Sequence, residues 1–169
     1  QAYPLNKSIQ DVIPIEILQN IKEELTELLK IRIHIYDDEY KLLTKDDEEK
    51  ELCRICNSMR LCSKRKYASD ITNQLYDRVY KCDYNLIELE VPITINDNIL
   101  GYIKSDSFTL SSEKEIHKKA LKISEKLGID YYSILNAYKK IPSIIKSRIY
   151  VIHEHLTIAA EFIQEMLER

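Results

Sequence analysis

The chain has 169 residues, 44% of them hydrophobic and 31% charged, with a net charge of -3. That apolar content supports one cored domain with an appended helix, while the acidic balance argues against a nucleic-acid module, which carries a basic face. The apolar runs fall far short of the roughly 20 residues that span a bilayer, and nothing near Gln1 has the make-up of a signal peptide.

The first residue is not Met, so the chain reads as an excised fragment, and the cytoplasm is the expected compartment. There, four cysteines are more often reduced or metal-bound than paired. Glycine occurs only at Gly101 and Gly128, which excludes Gly-rich phosphate and dinucleotide loops. No serine sits in a nucleophile elbow and no His-Glu-x-x-His is present.

Residues Pro14 to Leu29 read as an amphipathic helix, with Ile17, Leu18, Ile21, Leu25, Leu28 and Leu29 at helical spacing and Pro14 in the first turn. The period then changes to two. Ile31, Ile33 and Ile35 alternate with Arg32, His34 and Tyr36 as a strand. Asp37-Asp38-Glu39 reads as a turn, and Tyr40 to Thr44 as a returning strand. Asp46 to Glu51 reads as a solvated loop or helix start. Leu61 to Tyr76 reads as a helix with Lys64, Arg65 and Lys66 on one side. That basic cluster, with Arg60, is taken as a solvated face.

Arg78 to Cys82 reads as a short strand and Leu86 to Ile95 as a longer one, with Pro92 at an edge or bulge. Asn96-Asp97-Asn98 tolerates positive φ and makes the hairpin, and Ile99 to Lys104 returns. Ser112 with Glu115 forms a capping box for a helix that ends at Gly128. A short helix over Tyr131 to Tyr138 stops before Pro142. A final helix runs from Ser143 to about Leu167. Along it Ile145, Ile149, Ile152, Leu156, Ala159, Ile163 and Met166 are spaced 4, 3, 4, 3, 4, 3, which is a heptad seam. Ile144, Val151, Ile158 and Phe162 form a second stripe. Two apolar sides either form one wide core-facing stripe or call for two partners, the domain body and a second copy of the chain, and the second reading is favoured.

The order of elements, two strands, a helical insert and three strands, is similar to a PAS-like sensor. More specifically, from Ile9 to Leu167 the chain resembles the PocR-type sensory domain, a ligand-binding module of bacterial regulators. The residues that carry the resemblance are Ile13-Pro14-Ile15-Glu16-Ile17-Leu18-Gln19, Cys53-Arg54, Arg60-Leu61-Cys62, Tyr80-Lys81-Cys82 and Leu86 through Val91-Pro92-Ile93 to Ile99-Leu100-Gly101. Leu127-Gly128-Ile129-Asp130 and Ala137-Tyr138-Lys139-Lys140-Ile141-Pro142 complete the set. The chain departs from the family pattern after Cys82, where Asp83 and Asn85 replace a His and a Gly. Ser105-Asp106 also replaces a Gly-Gln strand ending, and Cys56 is an addition. The Ser105-Asp106 ending borders the expected pocket and points to a ligand other than the small diols of some relatives.

The resemblance implies an α+β fold: a PAS-like antiparallel five-stranded sheet with flanking helices and a long C-terminal signalling helix. It implies a sensory part over 9–142 and an amphipathic helix over 143–169 that leads to a DNA-binding or kinase output domain. It implies a small organic ligand and no enzymatic activity. From the resemblance and from facing, the expected ligand-binding residues are Tyr36, Cys53, Cys62, Cys82, Leu86, Val91, Ile93 and Ser105.

The cysteines admit other readings. Cys53, Cys56, Cys62 and Cys82 can hold zinc or, with less support, an iron–sulfur cluster. Cys53 with Cys56, or either with Cys62, can act as a redox pair, and a structural disulfide is a further possibility. Buried thiols in a pocket or core are the plain alternative. None of His34, His117, His153 and His155 is expected to be catalytic. The expected partners are a small molecule and a second copy through the C-terminal helix, with no direct nucleic-acid contact and no membrane.

Overall fold

The computed structural model describes residues 7–45, 51–58, 66–67, 79–82 and 84–169, and their side chains apart from those of 56–58 and 66–67. In chain order the elements are α1 (Ile9–Val12), α2 (Ile15–Leu29), β1 (Ile33–Asp37), α3 (Glu51–Ser58), β2 (Lys66–Tyr67), β3 (Val79–Lys81), β4 (Ile87–Ile95) and β5 (Asn98–Ser105). They are followed by α4 (Glu113–Leu127), α5 (Tyr131–Lys139) and α6 (Ser147–Glu168). The chain divides into two compact units. One comprises Gln1–Asp46, Leu89–Asp106 and Ser147–Arg169, and the other comprises Asp47–Glu88 and Ser107–Lys146.

Local chemistry sets the element ends. Pro14 occupies the N-cap of α2, where its missing N–H leaves no orphan donor. Ser112 Oγ accepts the Glu115 N–H and Glu115 Oε1 accepts the Ser112 N–H, closing the capping box of α4. Those hydrogen bonds hold the Glu115 carboxyl below its usual range. Gly128 ends α4 at φ 67°, a left-handed conformation open to a residue without Cβ. Asn96 and Asp97 sit at φ 49° and 66°, so β4 and β5 are joined by a turn with two left-handed residues, whose twist suits a hairpin.

In the first unit β1, β5 and β4 run antiparallel in that order. Ile33 pairs with Ser105 and Ile35 with Ile103, while Val91 also pairs with Ile103 and Ile93 with Gly101. Alternation places these residues on one face. Ile33, Ile35, Ile93 and Ile103 are fully buried there, each contributing about 1.5–3 kcal/mol relative to exposure. α2 packs on β1, and α6 packs on β5 and α2. The α6 side of this core is Ile149, Ile152, Leu156, Ala159 and Ile163, the heptad seam of the sequence. Arg148 donates to the Leu29 carbonyl at 2.8 Å and Gln164 to Thr94 Oγ1 at 3.0 Å, which ties the helix at both ends.

The second unit is built on Leu52 of α3, Leu86, Ile116, Ala120 and Ile123 of α4, Ile134, Leu135, Ala137 and Tyr138 of α5, and Ile141. The Tyr138 hydroxyl donates to the Tyr84 carbonyl at 2.9 Å, and Lys140 Nζ lies 2.7 Å from Glu51 Oε2. β2 and β3 form a two-residue antiparallel ladder, Lys66 with Lys81 and Tyr67 with Tyr80.

Several expectations change. The antiparallel sheet is built from four of the five expected strands, because Tyr40 to Thr44 forms only an isolated bridge between Tyr36 and Leu42. The reason is Asp37. Its Oδ1 accepts the Glu39 N–H at 2.9 Å and the Lys41 N–H at 2.8 Å, and Tyr40 adopts φ 61°, so this backbone folds into a turn. Lys66 lies in a strand rather than a helix, while Arg60, Lys64, Arg65 and the rest of the expected Leu61–Tyr76 helix, apart from Tyr67, lie outside the described residues. The last helix starts at Ser147, since Ser143 bridges to Thr109 and the Ile144 N–H bonds the Thr109 carbonyl. α1 was not expected as a helix, and α3 begins at Glu51, where the acidic run was read as a loop or helix start.

Candidate functional site on the polar face of the sheet

The three-stranded sheet of the first unit has a second face, and it is not apolar. The register pairs His34 with Lys104 and Lys104 with Glu90, so one row across β1, β5 and β4 is His34, Lys104, Glu90. The next row is Tyr36, Tyr102, Pro92. Directly opposed side chains have Cβ atoms about 4.5–5.5 Å apart, so each row is a set of neighbours.

Two of these groups are charged and nearly removed from water. Glu90 is 1% exposed and Lys104 is 7% exposed. Isolated burial of either would cost several kcal/mol, and juxtaposing opposite charges on adjacent strands offsets part of that cost. Lys104 Nζ also lies 5.5 Å from the centre of the Tyr36 ring, within cation–π range. The His34 ring meets Tyr36 edge-on at 6.3 Å.

The turn after β1 closes one side of the cluster. The Tyr40 ring stacks on Tyr102 with centroids 4.3 Å apart and planes 5° from parallel. Its hydroxyl faces the Glu90 carboxylate and the Tyr102 hydroxyl. The residue as a whole is 46% exposed, but its O–H end is drawn into the cluster. Burial of that end, then the Tyr102 hydrogen bond and the Glu90 charge, push the phenol well above its ordinary value.

Chemically this face offers a carboxylate, an ammonium, an imidazole and three phenols around aromatic surface. That combination suits hydrogen bonding and stacking with a small polar molecule.

The sequence-derived site residues are divided by the structure. Tyr36 lies on the polar face. Val91, Ile93 and Ser105 lie on the opposite, apolar face, where Ser105 Oγ accepts the Leu89 N–H at 2.9 Å. Leu86, Cys53 and Cys82 belong to the second unit, where Leu86 is part of the core and both half-buried thiols pack against that same core. Cys56 is in the α3 backbone, but its side chain lies outside the described residues, as does all of Cys62. Among the described residues no three His, Cys, Asp or Glu side chains converge as a metal site. A groove of about 480 Å³ in the second unit is lined by Asn85 and the α4 residues Glu115, Lys118, Lys119, Leu121, Lys122 and Glu125, and it includes none of the expected site residues.

Sequence reasoning missed Tyr40, Glu90, Pro92, Tyr102 and Lys104. Their signal was alternation: Glu90 and Lys104 occupy the polar phase of their strands, which reads as a solvated face until burial is known.

Among the described residues no helix is long and apolar enough to cross a membrane. No curated protein and no solved structure matches the chain. A family model does: the sensory domain found in PocR matches residues 11–168, nearly the whole chain. The chain therefore belongs to the PocR sensory-domain family.

Proposed function

We propose that this sensory domain binds a small organic molecule on the polar face of the β1–β5–β4 sheet and passes the event through α6 to a DNA-binding or kinase output. The observation that carries the reading is Glu90, a carboxylate 1% exposed among three tyrosines and a lysine. A sheet face serving only stability is better filled by apolar side chains, and costly buried charge gathers at functional sites. In this reading the fold is PAS-like, the chain is not an enzyme, and it works in the cytoplasm. The ligand favours one of two states, and moving a 1:99 equilibrium to 99:1 takes a difference of about 5.5 kcal/mol.

The same reading makes the active unit a homodimer. Of the two stripes, the seam residues Ile149, Ile152, Leu156, Ala159 and Ile163 are buried within the chain, whereas Ile145, before α6, is exposed, and Val151, Ile158 and Phe162 are left exposed for a second copy.

The test is a thermal-shift screen of small polar and aromatic metabolites on wild type, Glu90→Gln and Lys104→Met. The reading expects compounds that raise the wild-type Tm and leave both variants unmoved. Compounds that stabilise all three chains equally would place binding elsewhere.

A second reading is a metal or redox sensor using Cys53, Cys56, Cys62 and Cys82. What favours it is that Cys53 and Cys82 pack against one core cluster, although they are far apart in sequence. Zinc or iron in stoichiometric amount in anaerobically purified protein, lost in Cys53→Ser, supports this reading. Metal-free protein with an unchanged response in Cys53→Ser removes it.

A further inference from the structure

Tyr40 is strained in a way its packing does not require. Its backbone sits at φ 61°, a region that bulky residues rarely enter and that costs about 1–3 kcal/mol. An Asn or Gly would hold the same turn with less strain. The turn is also held without the ring. Asp37 Oδ1 takes two N–H groups, the Asp37 N–H bonds the Lys41 carbonyl, and the Leu43 N–H bonds the Ile35 carbonyl. What the strained conformation achieves is to lay a phenol flat on Tyr102 at 4.3 Å with its hydroxyl toward Glu90. With 46% of the residue exposed, the ring can leave without opening the apolar core on the other face.

We infer that Tyr40 is an internal stand-in for the ligand: the sensed molecule is a small planar ring bearing a hydroxyl, and it displaces Tyr40 to stack on Tyr102 and donate to Glu90. This rests on the reading of the polar face as the ligand face. A ring carrying a carboxylate is disfavoured, because the group it meets is itself a carboxylate and requires a donor. Stacking on Tyr102 demands planarity, which separates this class from flexible aliphatic compounds. The ligand's preference for one of the two states comes from its taking over the Tyr102 stack and the Glu90 acceptor from Tyr40.

The experiment titrates p-cresol into the full chain and reads affinity by ligand-observed NMR. The chains are wild type, Tyr40→Gly, Tyr40→Phe and Tyr40→Gly combined with Glu90→Gln, each checked for fold by circular dichroism. Removing the internal competitor should tighten p-cresol at least tenfold in Tyr40→Gly. Tyr40→Phe, which keeps the stack and loses the hydroxyl, should fall between wild type and Tyr40→Gly. The double variant should lose the gain. Tyr40→Asn, also suited to the left-handed turn, replaces Tyr40→Gly if the latter does not fold. Equal affinity in wild type and Tyr40→Gly, or a gain that survives Glu90→Gln, overturns the inference. A non-aromatic compound whose binding depends on Glu90 and is indifferent to Tyr40 would retain the polar face as the site and overturn only the stand-in. Binding indifferent to both residues would overturn the face as well.

Discussion

Gly101→Ala puts a single methyl group where the sheet has no room for it. A Cβ at this position would stand 2.3 Å from the Tyr36 carbonyl oxygen and 2.7 Å from Ile9 Cδ1. The Ile9 methyl is the end of a flexible side chain and can rotate away. The Tyr36 carbonyl belongs to the β1 ladder, where Asp37 pairs with Gly101 and Tyr36 with Tyr102, so relief requires moving the strand by about 1 Å. Overpacking of this kind costs about 1–3 kcal/mol, and a backbone clash belongs at the upper end. The opposing term, the lower unfolded-state entropy of Ala, is only about 0.5–1 kcal/mol. The net expectation is about 2 kcal/mol of destabilisation, or a Tm lower by roughly 4–8 °C for a chain of this size. Urea unfolding followed by far-ultraviolet circular dichroism reads it. The strand that must shift also carries His34 and Tyr36, so the variant should weaken ligand binding before it unfolds. A variant within 0.5 kcal/mol of wild type would refute the close approach of β1 and β5 on which the polar face depends.

Other outcomes follow from the same structure. Ile163→Ala removes a fully buried side chain of α6 and should cost about 2–5 kcal/mol in urea titration, whereas a seam not packed on the body would lose far less. Ile158→Glu, at a position 56% exposed, should leave chain stability within about 0.5 kcal/mol and convert the proposed dimer to monomer in analytical ultracentrifugation. A dimer that persists would show that this stripe is not the interface. Because the Tyr40 phenol is held above its ordinary value of 10.0, the unfolded chain ionises first, so the stability it contributes is present below that pH and lost as pH climbs past it. Tyr40→Phe should therefore flatten the alkaline limb of a stability-against-pH curve, and an unchanged limb would disprove that its hydroxyl is drawn out of water into the cluster.

The parts of this fold governed by local chemistry were legible in the sequence. The Ser112–Glu115 box, the stop at Gly128, the Asn96-Asp97 turn and the alternation of β1, β4 and β5 each depend on neighbours in the chain. Tyr40 to Thr44 misled because its apolar spacing suits a strand, while the decisive event is an Asp37 carboxylate capturing N–H groups two and four residues on. The α6 heptad was visible as a seam, yet a seam does not say whether its partner is the same chain. The core took Ile149, Ile152, Leu156 and Ile163 and left Val151 and Ile158 outside. The candidate site was the least legible. Period-two patterning separates the two faces of a strand but does not say whether the polar face is wet, and Val91, Ile93 and Ser105 were grouped with Tyr36 although the register sets them on the opposite side. Glu90 and Lys104 become informative only once both are known to be buried.

The most direct test of the ligand face is NMR of the chain carrying labelled tyrosine rings, titrated with a compound that raises its Tm. The account predicts that Tyr36, Tyr40 and Tyr102 move first and together, with Tyr40 changing most. Shifts confined to Tyr84, Tyr131 and Tyr138, which belong to the core of the second unit, would contradict it and hand the sensing role to the cysteine-bearing unit.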